Sequence, residues 1–213
     1  GHVGWDFACL WWDADNDGNI DLTVTHYSGL VHYRNRGDGT FQDITSSAGF
    51  GNINSFLLGL TAGDYDLDGD LDLYVCGYVE FDRERARNRP IVAGRPAVWT
   101  NPVSYQALPN ILLQNDGSGV FTDVTESADV ANPAGKSMQA IFCDFNNDGF
   151  PDIFVGNDVG TADAMYLNNQ DGTFTDVSKL SSTFDRRASM GMAVGDVYHH
   201  GKMDLFTTHW VNE

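Results

Sequence analysis

Short apolar runs recur along the chain, each ended by a turn dense in Asp, Asn and Gly. In one stretch "FLLGLTAG" (56–63) and "LDLYVCGY" (71–78) flank an acidic turn, and "NILLQN" (110–115) and "FTDVT" (121–125) flank a second turn. Runs of this length, rich in β-branched and aromatic residues and bounded by turn formers, predict strands joined as consecutive hairpins. Side chains alternate across a strand, so Leu73 and Val75 point one way and Tyr74 and Cys76 the other. Both sets are apolar. The strand therefore belongs to a sheet covered on both faces.

The pattern repeats. Acidic turns begin at Asp13 ("DADNDGNID"), Asp64 ("DYDLDGDLD"), Asp144 ("DFNNDGFPD") and Asp196 ("DVYHHGKMD"), spaced by 51, 80 and 52 residues. A second motif keeps the same beat in "YRNRGDGTFQDIT" (33–45), "LLQNDGSGVFTDVT" (112–125) and "YLNNQDGTFTDVS" (166–178). The repeats cover about 3–50, 56–130, 137–180 and 188–213, and the long interval is explained by an insertion at 80–109. Four short strands per unit of about 50 residues is the arithmetic of a β-propeller. The expected fold is all-β: a β-propeller of four-stranded blades, about three and a half of them in this chain, within a larger ring of about seven. A parallel β-helix has shorter rungs, and a helical solenoid has a 3.6-residue period that is missing here.

The acidic turns carry the candidate chemistry. Carboxylates at positions one, three, five and nine, with glycine at six for a sharp turn, surround a single point and repel one another unless a hard cation sits there. Calcium fits best, because magnesium takes fewer protein ligands and soft metals favour Cys or His. The first loop offers Asp13, Asp15, Asp17 and Asp21 with the Asn19 carbonyl; the second offers Asp64, Asp66, Asp68 and Asp72 with the Asp70 carbonyl. The third offers Asp144, Asn146, Asp148 and Asp152 with the Phe150 carbonyl. Three Ca2+ sites are expected. The loop at 196–204 is expected to be empty, since Tyr198 and His200 replace its third and fifth ligands and Lys202 adds a positive charge; a weak transition-metal contact of His199 and His200 ranks behind a plain surface turn. An EF-hand is excluded, because its twelfth position is a Glu between helices whereas here Val24, Val75 and Val155 stand in strands.

Composition agrees. Thirty acidic and twelve basic residues give a formal charge of −18, which argues against nucleic acid or anionic membrane as partner and for bound cations. With 42% hydrophobic residues the chain has enough apolar matter for a core. No apolar run is long enough to span a bilayer. The chain starts at Gly1 without a signal peptide, as a mature or excised segment would. Cys9, Cys76 and Cys143 lie in apolar runs and are expected to be buried free thiols.

These residues resemble a family. "GDYDLDGDLDLYV", "CDFNNDGFPDIFVGND", "NRGDGTFQDITSSAG" and "NNQDGTFTDVS" are similar to FG-GAP (VCBS-type) repeats of integrin α-type propellers, and more closely to bacterial secreted proteins of the cartilage-acidic-protein kind. "RASMGMAVGD" before the fourth loop and the insertion after the second fit the same pattern. The resemblance implies an extracellular, cell-surface or periplasmic calcium-stabilised propeller that serves adhesion, protein–protein interaction or a surface assembly, with no catalytic role. No G-x-S-x-G, H-E-x-x-H or C-x-x-C-H motif speaks for an enzyme. The alternative is a lectin-like propeller that uses Trp5, Trp11, Trp12, Trp99 or Trp210 as stacking platforms, although packing between blades is the expected role of most of them. His26 and His209 hold equivalent repeat positions without an assigned task. Arg36, Gly37 and Asp38 spell an adhesion tripeptide inside a turn that the repeat itself requires. The insertion concentrates Arg83, Arg85, Arg87, Arg89 and Arg95 and is the place to look for a partner contact, with a plain solvated loop as the equal alternative.

Overall fold

A computed structural model describes residues 4–82 and 102–210, with two short strands, β7 (Ile91–Val92) and β8 (Arg95–Pro96), between them. The first sheet holds β1 (Asp6–Trp12), β2 (Asp21–His26), β3 (Gly29–Asn35) and β4 (Phe41–Asp43) in that order. The second holds β5 (Leu57–Gly63), β6 (Asp72–Gly77), β9 (Ile111–Asn115) and β10 (Phe121–Asp123), and the third β11 (Ser137–Cys143), β12 (Asp152–Asn157), β13 (Ala164–Asn168) and β14 (Phe174–Asp176). A final hairpin pairs β15 (Ala188–Gly195) with β16 (Asp204–Trp210). Each four-stranded sheet is an antiparallel meander. Three blades of a β-propeller and the inner half of a fourth result. Arg83, Arg85, Arg87, Arg89 and Trp99 lie outside the described residues, and of Arg95 only the backbone is described.

The two-faced strand behaves as its alternation demands. Leu73 and Val75 enter a core with Trp12, Leu30 and Phe121 of the first and second blades, whereas Tyr74 and Cys76 enter another with Ile153, Val155 and Tyr166 of the third. All four are buried completely. Blade two is therefore held by apolar contact on both sides. At about 25 cal/mol per Å² of buried apolar surface, this packing is the main stabilising term.

The first strands β1, β5, β11 and β15 lie against one another in sequence, and glycine makes that approach possible. A Cβ on Gly59 would stand 2.6 Å from the Met138 carbonyl oxygen and 2.8 Å from the Gln139 Cα, both backbone atoms that cannot swing aside. Gly59→Ala is expected to force blades two and three apart at a cost of about 1–3 kcal/mol, read as a lower urea midpoint at unchanged slope. A midpoint equal to wild type would show that the strands have room to move.

Polar ties supplement the cores. The Asn115 side-chain NH2 of blade two donates to the Ala14 carbonyl of blade one (2.8 Å), and Asn168 of blade three donates to Tyr65 of blade two (2.8 Å). Every first strand also slips register near its start, at Asp6/Ala8, Leu57/Leu60, Ser137/Gln139 and Ser189/Gly191. Such bulges insert an extra residue and re-aim its side chain.

Two expectations need correction. Cys76 and Cys143 are buried, but Cys9 is exposed. Only Trp12, among the described tryptophans, is packed in a core; Trp5, Trp11 and Trp210 are each more than half exposed. The reason is shared, because among the described residues the first blade is covered on one face only and the last hairpin carries no outer strands.

Candidate functional site

The four acidic loops adopt one backbone shape. Their sixth residues, Gly18, Gly69, Gly149 and Gly201, have φ of 85°, 97°, 93° and 75°, which glycine alone adopts freely. The fourth residues, Asn16, Leu67, Asn147 and His199, are left-handed as well.

Within that shape the aspartates divide the work. The ninth carboxylate is buried and organises the backbone: Asp72 accepts the Tyr65 N–H (3.2 Å) and the Asn115 N–H (2.9 Å), and Asp21 and Asp152 do the same with their own loops and third strands. Burial raises the carboxyls of Asp21 and Asp152 and pushes Asp72 up to about 7. Asp17, Asp68 and Asp148 accept the N–H of Asn19, Asp70 and Phe150, the residues whose carbonyls the sequence nominated. That exposed backbone hydrogen bond holds Asp17 and Asp148 below the usual carboxylate range.

The third position shows what a cation would do. Arg34 pairs with Asp15 Oδ2, and Gln114 Nε2 donates to Asp66 Oδ2 (2.7 Å). In each case the second oxygen is left over. Among the described residues four buried side-chain polar atoms lack a partner, and three of them are Asp15 Oδ1, Asp64 Oδ1 and Asp66 Oδ1. A buried carboxylate oxygen without a donor costs about 1–3 kcal/mol or more, and a hard cation is the partner that several of them can share. Asp13, Asp15 and Asp17 meet within one group, as do Asp64, Asp66 and Asp72. These residues fit calcium.

Loop three differs. Asn146 folds onto Asp148, its NH2 donating to Asp148 Oδ2 (3.0 Å), and Asp144 accepts the N–H groups of Asp148 and Gly149. Asp144, Asp148 and Asp152 form no carboxylate cluster among the described residues, and the amide oxygen of Asn146 already accepts the Asp148 N–H (2.9 Å). Loop four surprises in the other direction, since Asp196, His200 and Asp204 converge, with His200 Nδ1 3.4 Å from Asp196 Oδ1. The imidazole occupies the fifth-position ligand place. Position alone, compared across repeats, was the signal for it.

The turn containing Arg36, Gly37 and Asp38 is explained by its repeats. Asp38 Oδ1 accepts the Thr40 N–H (2.9 Å), and Asp116 and Asp171 treat Ser118 and Thr173 in the same way.

At the opposite ends of the same strands lies a pocket of about 680 Å³ that the sequence did not announce. Trp5, Phe56, Tyr105 and Trp210 line it, together with Phe7 and Met190, the extra residues of two of the bulges. Its carboxylate is Asp158, which accepts the Tyr78 hydroxyl (2.5 Å). Burial, reinforced by that carboxylate, raises the Tyr78 phenol and keeps it a donor.

One buried acid beside the pocket serves structure. Asp163 accepts the Asn157 N–H (2.8 Å) and the Ser189 hydroxyl (2.8 Å), joining blade three to the last hairpin. Asn110 does the first of these tasks in blade two, accepting the Gly77 N–H. Burial pushes Asp163 up to about 6, so the folded state binds its proton more tightly than the unfolded chain. The stability this confers is complete below about pH 4 and is lost as pH rises through about 6, by at most about 3 kcal/mol. Asp163→Asn is expected to flatten that descent in urea titrations at pH 4.5 and 7 in high calcium; parallel profiles for variant and wild type would refute it.

Three stacked antiparallel blades, each opened by an acidic D-x-D-x-D-G-type loop or its Asn variant, define a propeller of acidic-loop repeats. The chain belongs to the FG-GAP-like repeat family, whose profile matches residues 13–75, 97–155 and 144–207. Cartilage acidic protein 1 of Mus musculus is 43% identical over 49 residues, 23% of this chain and 8% of that protein. Among solved structures, the exotype rhamnogalacturonan lyase YesX aligns with 96% of this chain and 39% of its own at 15% identity and a TM-score of 0.47. An Agrocybe aegerita lectin specific for non-reducing terminal N-acetylglucosamine aligns over 95% of this chain and 60% of its own, at 16% identity and a TM-score of 0.32. The chain thus spans less than two thirds of each of these relatives. No helix among the described residues is long and apolar enough to cross a membrane.

Proposed function

We propose that this chain is a calcium-binding propeller scaffold that works outside the cytoplasm, at a cell surface or in a periplasm, and mediates protein–protein interaction or adhesion without catalysis of its own. The observation that carries it is the set of buried, unpartnered carboxylate oxygens on Asp15, Asp64 and Asp66, inside loops that connect the first two strands of their blades. Calcium bound there acts as folding energy, since an ion held only by the native state stabilises it by RT ln(1 + [L]/Kd). Millimolar extracellular calcium fills sites that submicromolar cytosolic calcium leaves vacant. The test is thermal unfolding with calcium against EGTA. A large downward shift on chelation supports the scaffold, and an unmoved melting temperature overturns it. A second reading, a glycan-binding propeller, draws on Trp5 and Trp210 lining one pocket; a glycan array without a hit removes it.

A further inference from the structure

We propose that the aromatic pocket binds an organic cation, an alkylammonium group with methyl substituents, seated against the carboxylate of Asp158. This goes beyond the calcium scaffold and needs only the fold that calcium supports. Asp158 is 6% exposed. Its oxygens are held by the Tyr78 hydroxyl (2.5 Å) and the Val159 N–H (2.7 Å), and among the described residues no Lys, Arg or His side chain stands within ion-pair distance. A buried anion without a counter-ion is expensive, and a ligand that brings the positive charge removes that cost.

The walls select which cation. Indole and phenyl rings attract a cation through their quadrupoles. Trp5, Phe56, Tyr105 and Trp210 come from four separate segments and converge on the pocket, and the bulges at Phe7 and Met190 add apolar contact. Acceptors for a hydroxyl are few: among the described residues that line the space they are the side chains of Asp158, Tyr78 and Tyr105, while the indole N–H groups of Trp5 and Trp210 can only donate. A sugar ring would bury several hydroxyls with too few partners, each an unmet hydrogen bond. A primary ammonium has the same difficulty on a smaller scale, with three donors facing one carboxylate. A methylated ammonium has charge and apolar bulk and little to satisfy. The chain's net charge of −18 draws such ions toward it.

The test uses the whole chain in calcium-replete buffer and isothermal titration with four probes: choline chloride, a short trimethyllysine peptide, the neutral isostere 3,3-dimethylbutan-1-ol and N-acetylglucosamine. Saturable binding of choline or the peptide is expected, with the isostere and the sugar at least about tenfold weaker. The tighter of the two cations tells whether the group is a free ion or is presented by a polypeptide. Asp158→Asn, which keeps an acceptor for Tyr78, is expected to lose at least about tenfold in cation affinity while melting near wild type. Should that variant not fold, Trp210→Leu at the exposed rim serves instead, with a loss of about threefold or more expected. Absence of saturable cation binding, an isostere or sugar that binds as tightly, or unaltered affinity in the folded variants would overturn the proposal.

Discussion

Replacing millimolar calcium by EGTA is expected to lower the melting temperature of this protein by more than about 10 °C. Each site filled at a hundredfold excess over its Kd contributes about 2.7 kcal/mol, and a chain of this size shifts by about 2–4 °C per kcal/mol. Loops one and two alone account for the stated shift, since both contain buried oxygens that nothing else satisfies. The effect reaches beyond the loops. Asn16 of the first loop donates to Asp70 of the second (2.5 Å), and the carbonyls of Ala14 and Tyr65, which receive the ties from the following blades, belong to the loops themselves. A loop that opens without its ion thus loosens the contact between blades. Magnesium at equal concentration should restore little, because its stricter octahedron and reluctance to shed water suit this carboxylate set poorly. A shift under about 2 °C on chelation would mean that the loops are self-sufficient.

Removal of the ninth carboxylate of the second loop should be the most damaging single change. Asp72→Ala leaves the N–H groups of Tyr65 and Asn115 without acceptors in a fully buried place, at about 1–3 kcal/mol for each group, so a loss of about 4 kcal/mol is expected. Asp204→Ala in the fourth loop is the control. There the loop is more exposed and the third strand is not part of the described hairpin, so less than about 1 kcal/mol is expected. Urea midpoints at constant slope measure both. Equal losses in the two variants would show that burial does not set the cost. Asp72→Ala should also lose part of the calcium-dependent stabilisation, which connects the two experiments.

Much of the fold was legible in the chain. The spacing of Asp13, Asp64, Asp144 and Asp196 predicted repeated sheets, and the alternation at 73–76 predicted a strand buried on both faces, because periodicity encodes local conformation and the side to which each residue points. The shared shape of the loops was equally plain, since it depends on residues within nine positions of one another. The tryptophans were misjudged for the complementary reason. Whether Trp12 or Trp11 is buried depends on which neighbouring blade covers which face, and adjacent residues of one strand meet different surroundings.

Local pattern thus specified the blades and the turns, both properties of segments short enough to be read in register. Packing of the blades settled the rest. It chose which oxygens of Asp15 and Asp66 would be held by Arg34 and Gln114 and which would be left without a partner. It brought Asn115 to Ala14 across 101 residues, His200 to Asp196 and Asp204, and Asp158 into a ring of aromatics drawn from separate segments. Such meetings arise from distances between sheets, which no window of sequence contains, because they follow from how whole apolar faces fit together rather than from the preference of any one stretch of chain.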